Sequence, residues 1–294
     1  MIFKKPRALT IHQIEGIIHK FGEAAYLAQQ TGFHGIQLHA AHGYLISQFL
    51  SPISNRRQDQ YGGSLKNRSA FLFNIIKAVR QNVKAQFIVG VKINSADFQN
   101  GGFSHDECKS VIRWIDEDKN VDFVEISGGN YEKSVVFRGV PSPEDLGKPE
   151  STIRREAYFL EFGEEVRKEV KRVKLMVTGG FRRLNKMNEA LNNGVNLIGL
   201  GRPFCVQPDV ANELLKGAET TLMYSQPKSV VSVFWHQYQI KQIANGKKPN
   251  LNIKISKSTV FKAAFYDPTA SFGWIYCLVL LLLLIAILIY AFVF

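Results

Sequence analysis

The stretch Ile36-Gln37-Leu38-His39-Ala40-Ala41-His42-Gly43-Tyr44-Leu45 sets the plan of the chain. A short apolar run ends in His39, a second His follows three residues on, and Tyr44 stands two further, just before a helix-like segment. A buried strand that feeds a helix through a polar turn is the unit of parallel α/β folds. Their chemistry gathers where strands end and the following loops begin. Two imidazoles can hydrogen-bond a carbonyl or phenolate oxygen, and a phenol beside them can deliver a proton. His39, His42 and Tyr44 are therefore candidate catalytic residues for reducing an activated double bond. On spacing alone, a His-x-x-His pair is more often a packed or metal-binding pair than a catalytic one.

Outward from this stretch the same rhythm holds. Upstream, Ile14, Ile17, Ile18, Phe21, Ala24, Ala25 and Ala28 recur at three- and four-residue spacing and predict a helix over 11–31, with Thr10 as its cap. Downstream, helices are expected over 44–50, 68–83, 106–118, 156–170 and 184–193. Apolar strands are expected over 35–39, 86–93, 121–126, 173–177 and 197–200, and most end in Gly or small polar residues. Buried strands alternating with amphipathic helices mean successive βα units and a parallel sheet. Five such strands are three fewer than a closed (β/α)8 barrel needs. The polar run Asn55–Ser64, so near the histidines, has two readings: a functional loop, or a solvated loop held by local Arg–Asp pairs.

Charge and cysteine content narrow the function classes. The net charge of +12 could point to nucleic acid, but six Lys and no acidic residue fall between Lys241 and Lys262, so part of the excess belongs to the tail. No zinc-finger, homeodomain or RNA-recognition signature is present, and no nucleic-acid partner is expected. Cys108, Cys205 and Cys277 are odd in number and far apart, and form neither a disulfide framework nor a metal or iron–sulfur motif. Residues 272–294 are an uncharged apolar run, and at ~1.5 Å per residue a run of this length spans a hydrocarbon core of roughly 30 Å. Beside the Lys-rich flank this predicts a single transmembrane helix, a C-terminal tail anchor with the globular part cytoplasmic. The expected organisation is a barrel portion over 1–224, a basic juxtamembrane linker over 225–271, and the membrane helix over 272–294.

Two strand ends carry a phosphate signal. Thr178-Gly179-Gly180 and Gly199-Leu200-Gly201-Arg202 follow the last two strands, where barrels often hold a phosphate on backbone N–H groups exposed by Gly and on an Arg fork. Paired at successive strand ends, they point to a phosphorylated cofactor.

These motifs, together with Gln48-Phe49-Leu50-Ser51-Pro52, Asn55-Arg56-Arg57-Gln58-Asp59-Gln60-Tyr61-Gly62-Gly63-Ser64, Asn67-Arg68, Phe103 after Gly101-Gly102, and Ser127-Gly128-Gly129, resemble the Old Yellow Enzyme-like NADH:flavin oxidoreductase family over about residues 10–215. The resemblance implies a (β/α)8 TIM barrel that binds FMN and is reduced by NAD(P)H. By the same resemblance, His39 and His42 would hold the substrate carbonyl oxygen, Tyr44 would protonate the α-carbon, and Gly180, Gly201 and Arg202, beside Gly179, would hold the FMN phosphate. Lys92 stands where many relatives have an Arg against the flavin N1/O2 edge. It keeps the charge but not the planar fork. The resemblance begins midway through the family's pattern, so the barrel is expected to be N-terminally truncated, with strands 4–8 present. The iron–sulfur cysteines of the dienoyl-CoA reductase branch are missing.

The expectation is a membrane-tethered, FMN-dependent oxidoreductase acting on an enone-type small molecule, alone or as an oligomer. The competing reading is a catalytically silent, truncated barrel that serves as a membrane-anchored binding protein. A third makes the two histidines zinc ligands.

Overall fold

In the computed structural model, residues 7–127, 161–179, 181–222, 224 and 231–253 are described. The chain divides into two compact units, Met1–Gly201 and Arg202–Phe294.

The first unit opens with helix α1 (Ile11–Gln30). Its start is fixed by a reciprocal cap: the Gln13 N–H donates to Thr10 Oγ1 at 3.2 Å, and the Thr10 N–H donates to Gln13 Oε1 at 2.9 Å. Then follow β1 (Gly35–Ala40), α2 (Leu45–Leu50), α3 (Leu65–Asn82), β2 (Ile88–Asn94), α4 (His105–Asp118), β3 (Phe123–Ser127), a helix α5 described over residues 161–169, β4 (Lys174–Thr178), α6 (Leu184–Asn192) and β5 (Leu197–Gly199). Helix α3 starts three residues earlier than its apolar spacing predicts. Ser64 Oγ accepts the Asn67 N–H at 3.2 Å and captures the polar first turn.

The five strands form one parallel sheet in the order β1-β2-β3-β4-β5, so each strand pairs with the next along the chain. All five expected strands are present. Because side chains alternate along a strand, the register sorts them onto two faces. One face carries Leu38, Val89, Val91, Ile93, Val124, Ile126, Leu175 and Val177, all essentially inaccessible, and it meets the helices: a methyl group at Gly163 in α5 would lie 3.3 Å from Val177. The other face carries Gln37 and His39, then Gly90, Lys92 and Asn94, then Glu125 and Ser127. A sheet this polar on one side is built to present chemistry there. Gly90 makes the layer possible, because a Cβ at that position would lie 2.3 Å from the Phe123 ring.

The second unit holds a 3-10 turn (Arg202–Cys205), α7 (Val210–Leu215) and α8 (Val231–Ala244). Trp235 is buried and stacks on Tyr224, whose hydroxyl lies 2.9 Å from His236 Nε2. Among the described residues no helix is long and apolar enough to cross a membrane. The run 272–294, where a span is expected, lies outside the described residues, as does Gly180.

Candidate active site

The site begins at the end of β1, where the chain reverses within three residues. His42 (φ +61°) and Gly43 (φ +76°) are both left-handed, and the Tyr44 N–H closes the turn on the Ala41 carbonyl at 3.2 Å. A non-glycine residue held left-handed costs roughly 1–2 kcal/mol and needs support. The support is Asn94 at the end of β2, whose Oδ1 accepts the His42 N–H at 3.1 Å. Asn94 Nδ2 in turn donates to Asp97 at 3.3 Å, and Asp97 also accepts the Phe103 N–H at 3.0 Å. From the other side, Gln48 donates to the Gly43 carbonyl at 2.8 Å. Tyr44 becomes the N-cap residue of α2.

The reversal gathers the three candidate catalytic side chains. The His39 ring lies 5.1 Å, centroid to centroid, from His42 in an edge-on arrangement, and 4.7 Å from the Tyr44 ring. Tyr44 is 44% exposed, so its hydroxyl can reach a bound molecule. His42 Nε2 is 2.6 Å from Ser127 Oγ at the end of β3. Among the described residues, buried His39 Nδ1 has no hydrogen-bond partner. An orphaned buried ring nitrogen is costly in a fold and is expected where a ligand is to arrive.

Beside the histidines a charged row crosses the sheet. His39 pairs in register with Lys92, and Lys92 with Glu125. Lys92 Nζ is 2.7 Å from Glu125 Oε1, and Gln37 donates to Glu125 Oε2 at 2.8 Å. Burial pushes the Glu125 carboxyl up. The hydrogen bond and charge of Lys92, helped by Thr178 and Gln37, outweigh this and hold it below the usual carboxylate value. Burial lowers His39, and Lys92 lowers it further against the opposing pull of Glu125. In His42 burial, then Lys92, then His39 bring the imidazole down to about 4, again opposed by Glu125. Both rings are therefore neutral near pH 7, and each offers one N–H donor and one acceptor nitrogen.

At the other side of the sheet, Gly179 follows β4 with φ +124°, and Gly201 follows β5. Among the described residues, a Cβ added at either would meet nothing within 4 Å. Glycines at such strand ends suit the close approach of a phosphate. Arg202 opens the 3-10 turn that follows Gly201 in the chain. Glycines at two neighbouring strand ends, a lysine on the polar sheet face and a buried imidazole nitrogen suit a large anionic, hydrogen-bonding group such as FMN.

Sequence reasoning places His39, His42, Tyr44 and Lys92 within one cluster. It gives no role to Gln37, Asn94 or Glu125, and Ser127 enters only as part of the Ser127-Gly128-Gly129 motif. Their signal is the alternation itself, since Gln37, Lys92, Asn94, Glu125 and Ser127 interrupt apolar strands at positions that register puts on the face of His39. The run Asn55–Ser64 resolves toward bracing. Asn55 Nδ2 donates to the carbonyls of Phe49 and Tyr61, both at 2.7 Å; Arg57 pairs with Asp59 and donates to Leu9; and buried Arg68 donates to the carbonyls of Leu50 and Gly63 and to Glu107. Among the described residues no group of three or more His, Cys, Asp or Glu is placed to hold a metal ion.

Comparison with known proteins agrees with this geometry. Residues 2–221 match the model of the NADH:flavin oxidoreductase / NADH oxidase family. The chain is 42% identical over 211 residues to the NADH-dependent flavin oxidoreductase iccE of Talaromyces variabilis, a match covering 71% of this chain and 50% of that protein. It is also 42% identical over 142 residues to an NADPH dehydrogenase of Listeria innocua, covering 47% of this chain and 41% of that one. Among solved structures, a morphinone reductase variant in complex with tetrahydroNAD superposes with a TM-score of 0.54 at 26% identity, over 74% of this chain and 53% of that one. A 2-naphthoyl-CoA reductase shares the fold, with a TM-score of 0.63 at 24% identity, over 73% of this chain and 32% of that one. The chain spans about half the length of the fungal flavin oxidoreductases iccE and iliE that it matches.

Proposed function

We propose, on the premise that this chain belongs to the NADH:flavin oxidoreductase / NADH oxidase family, that it forms an FMN site at which NAD(P)H provides the electrons and an α,β-unsaturated carbonyl compound receives them. The observation that carries the reading is the cluster of two neutral imidazoles and an exposed phenol at the end of β1, set beside a lysine on the same sheet face. FMN, when bound, supplies hydride exchange between the reductant and the β-carbon of the enone.

The chain's own residues do the rest. Gly179, Gly180, Gly201 and Arg202 take the phosphate, and Lys92 supplies positive charge for the isoalloxazine N1/O2 edge. His39 and His42 hold the carbonyl oxygen by hydrogen bonds, which draws electron density from the β-carbon. Being neutral, they can do so without giving up a proton to the product. Tyr44 donates the proton to the α-carbon. The apolar run 272–294, next to its lysine-rich flank, would tether this site to a membrane with the site on the cytoplasmic face.

The test is the visible spectrum of detergent-purified protein before and after anaerobic NAD(P)H. Flavin absorbance that bleaches with NAD(P)H and returns on adding an enone such as cyclohexenone is the expected result. A colourless protein that does not take up added FMN overturns the reading and leaves a catalytically silent barrel portion.

A further inference from the structure

Glu125, the partner of Lys92 on the polar sheet face, has no role in the chemistry so far, yet its placement is specific. Glu125 is 4% exposed, and both of its oxygens are engaged, Oε1 by Lys92 from β2 and Oε2 by Gln37 from β1. Register leaves the row no freedom: His39, Lys92 and Glu125 are successive partners across three strands, and Met176 and Leu197 continue the row through β4 and β5. Lys92 and Glu125 are the only permanent charges in this row, and His39 and His42 are the titratable groups beside them. A buried carboxylate needs a partner. A lysine here could have projected into solvent or over the site, because its four-carbon stem is flexible. Glu125 removes that freedom, and Gln37 removes the freedom of Glu125.

We infer that Glu125, anchored by Gln37, is a positioning residue that fixes the Lys92 ammonium within the row and offsets its charge, so that the pair sets how strongly the site favours an anion. Resting on the function proposed above, the anion is the reduced flavin, whose negative charge a nearby cation stabilises and a nearby carboxylate opposes. An isolated lysine would favour the reduced form more, and would tend to trap it. The paired lysine leaves hydride donation to the enone closer to balance.

Two readouts test this, one of them independent of flavin. Without FMN, His42 is titrated by NMR through its ring resonances in wild type, Lys92→Met, Glu125→Gln and the double variant. Lys92→Met should move the midpoint up from about 4, Glu125→Gln should move it further down, and the double variant should fall between the two single variants. With FMN bound, Glu125→Gln should raise the flavin midpoint potential by the equivalent of about tenfold in a two-electron equilibrium, roughly 30 mV. Lys92→Met should lower it by a similar amount, and the double variant should return toward wild type. Gln37→Leu, which keeps both charges and removes only the anchor, should give a smaller shift in the direction of Glu125→Gln.

Cancellation in the double variant is the signature of opposed charges, whereas structural damage would accumulate. If His42 titrates alike in all four proteins, or if the double variant is more displaced than either single one, the inference is wrong. A wild-type protein that takes up no FMN defeats the proposed function and the potential arm with it, while the His42 titration still decides whether the pair sets the local field.

Discussion

Two polar clusters, one starting at Asn55 and the other centred on the turn His39–Tyr44, eleven positions before it, behave in opposite ways. The bracing cluster, Asn55, Arg57, Asp59 and Arg68, spends its donors largely on backbone carbonyls and local carboxylates. The row at the strand ends leaves His39 Nδ1 without a partner among the described residues, holds His42 in a left-handed turn and exposes the Tyr44 ring. Saturated hydrogen bonding marks residues that hold the chain together, and unsatisfied groups on a rigid sheet mark residues that await something else. Both clusters are rich in charge, so composition alone does not separate them. What separates them is where each donor ends.

The contrast can be broken by substitution. Arg68→Met should be the most damaging change to stability, about 3 kcal/mol, because it strands the buried Leu50 carbonyl and deprives Glu107 of its partner. Chemical denaturation should show the loss, and the properties of whatever protein folds should be unaltered at the strand-end row. Gly62→Ala should cost about 1–3 kcal/mol by the same measurement, since its Cβ would sit 2.2 Å from the Arg57 carbonyl oxygen and push the brace apart. If either change instead alters the His42 titration while leaving stability intact, the division between brace and site is wrong.

A smaller effect sharpens the other half of the contrast. In the unfolded chain His42 titrates near 6.5, and in the fold it titrates near 4. Between those values the unfolded chain takes up a proton that the folded chain refuses. Stability is therefore full above pH 6.5, falls as pH drops toward 4, and loses nothing more from this group below that. His39 and His105 are lowered as well and add slope of the same sign. His42→Asn keeps a side chain that tolerates the left-handed backbone and removes part of the slope. Urea midpoints at pH 7 and pH 4.5 should lie closer together in this variant than in wild type. Equal separation would mean that His42 is not held neutral by its surroundings.

Much of the sheet is legible in the sequence because its apolar runs are short, evenly spaced and closed by Gly or small polar residues. Strand positions near 36, 88, 123, 175 and 198 all emerge from that pattern. His39, His42 and Tyr44 are legible because they sit together in one turn. Glu125 and Gln37 are not, because each lies alone in its own strand and only the register brings them together with Lys92. A lone Glu in Phe-Val-Glu-Ile-Ser says that one strand face is polar, but not which lysine it meets. The bracing role of Asn55–Ser64 is legible only in part: the Arg57–Asp59 pair belongs to one of its two expected readings, but the backbone carbonyls of Leu9, Phe49 and Tyr61 that its donors reach are announced by no side-chain pattern.

If the β1 turn carries the acid and the oxygen-binding groups of a flavin-dependent double-bond reduction, as proposed, stopped-flow comparison of the two half-reactions in wild type and Tyr44→Phe will separate them. Flavin reduction by NAD(P)H should proceed at the same rate in both, while reoxidation by cyclohexenone should slow by about 10²-fold or more in the variant, the usual contribution of a general acid. Equal reoxidation rates, or equal slowing of both half-reactions, would contradict the assignment of Tyr44 as the proton donor.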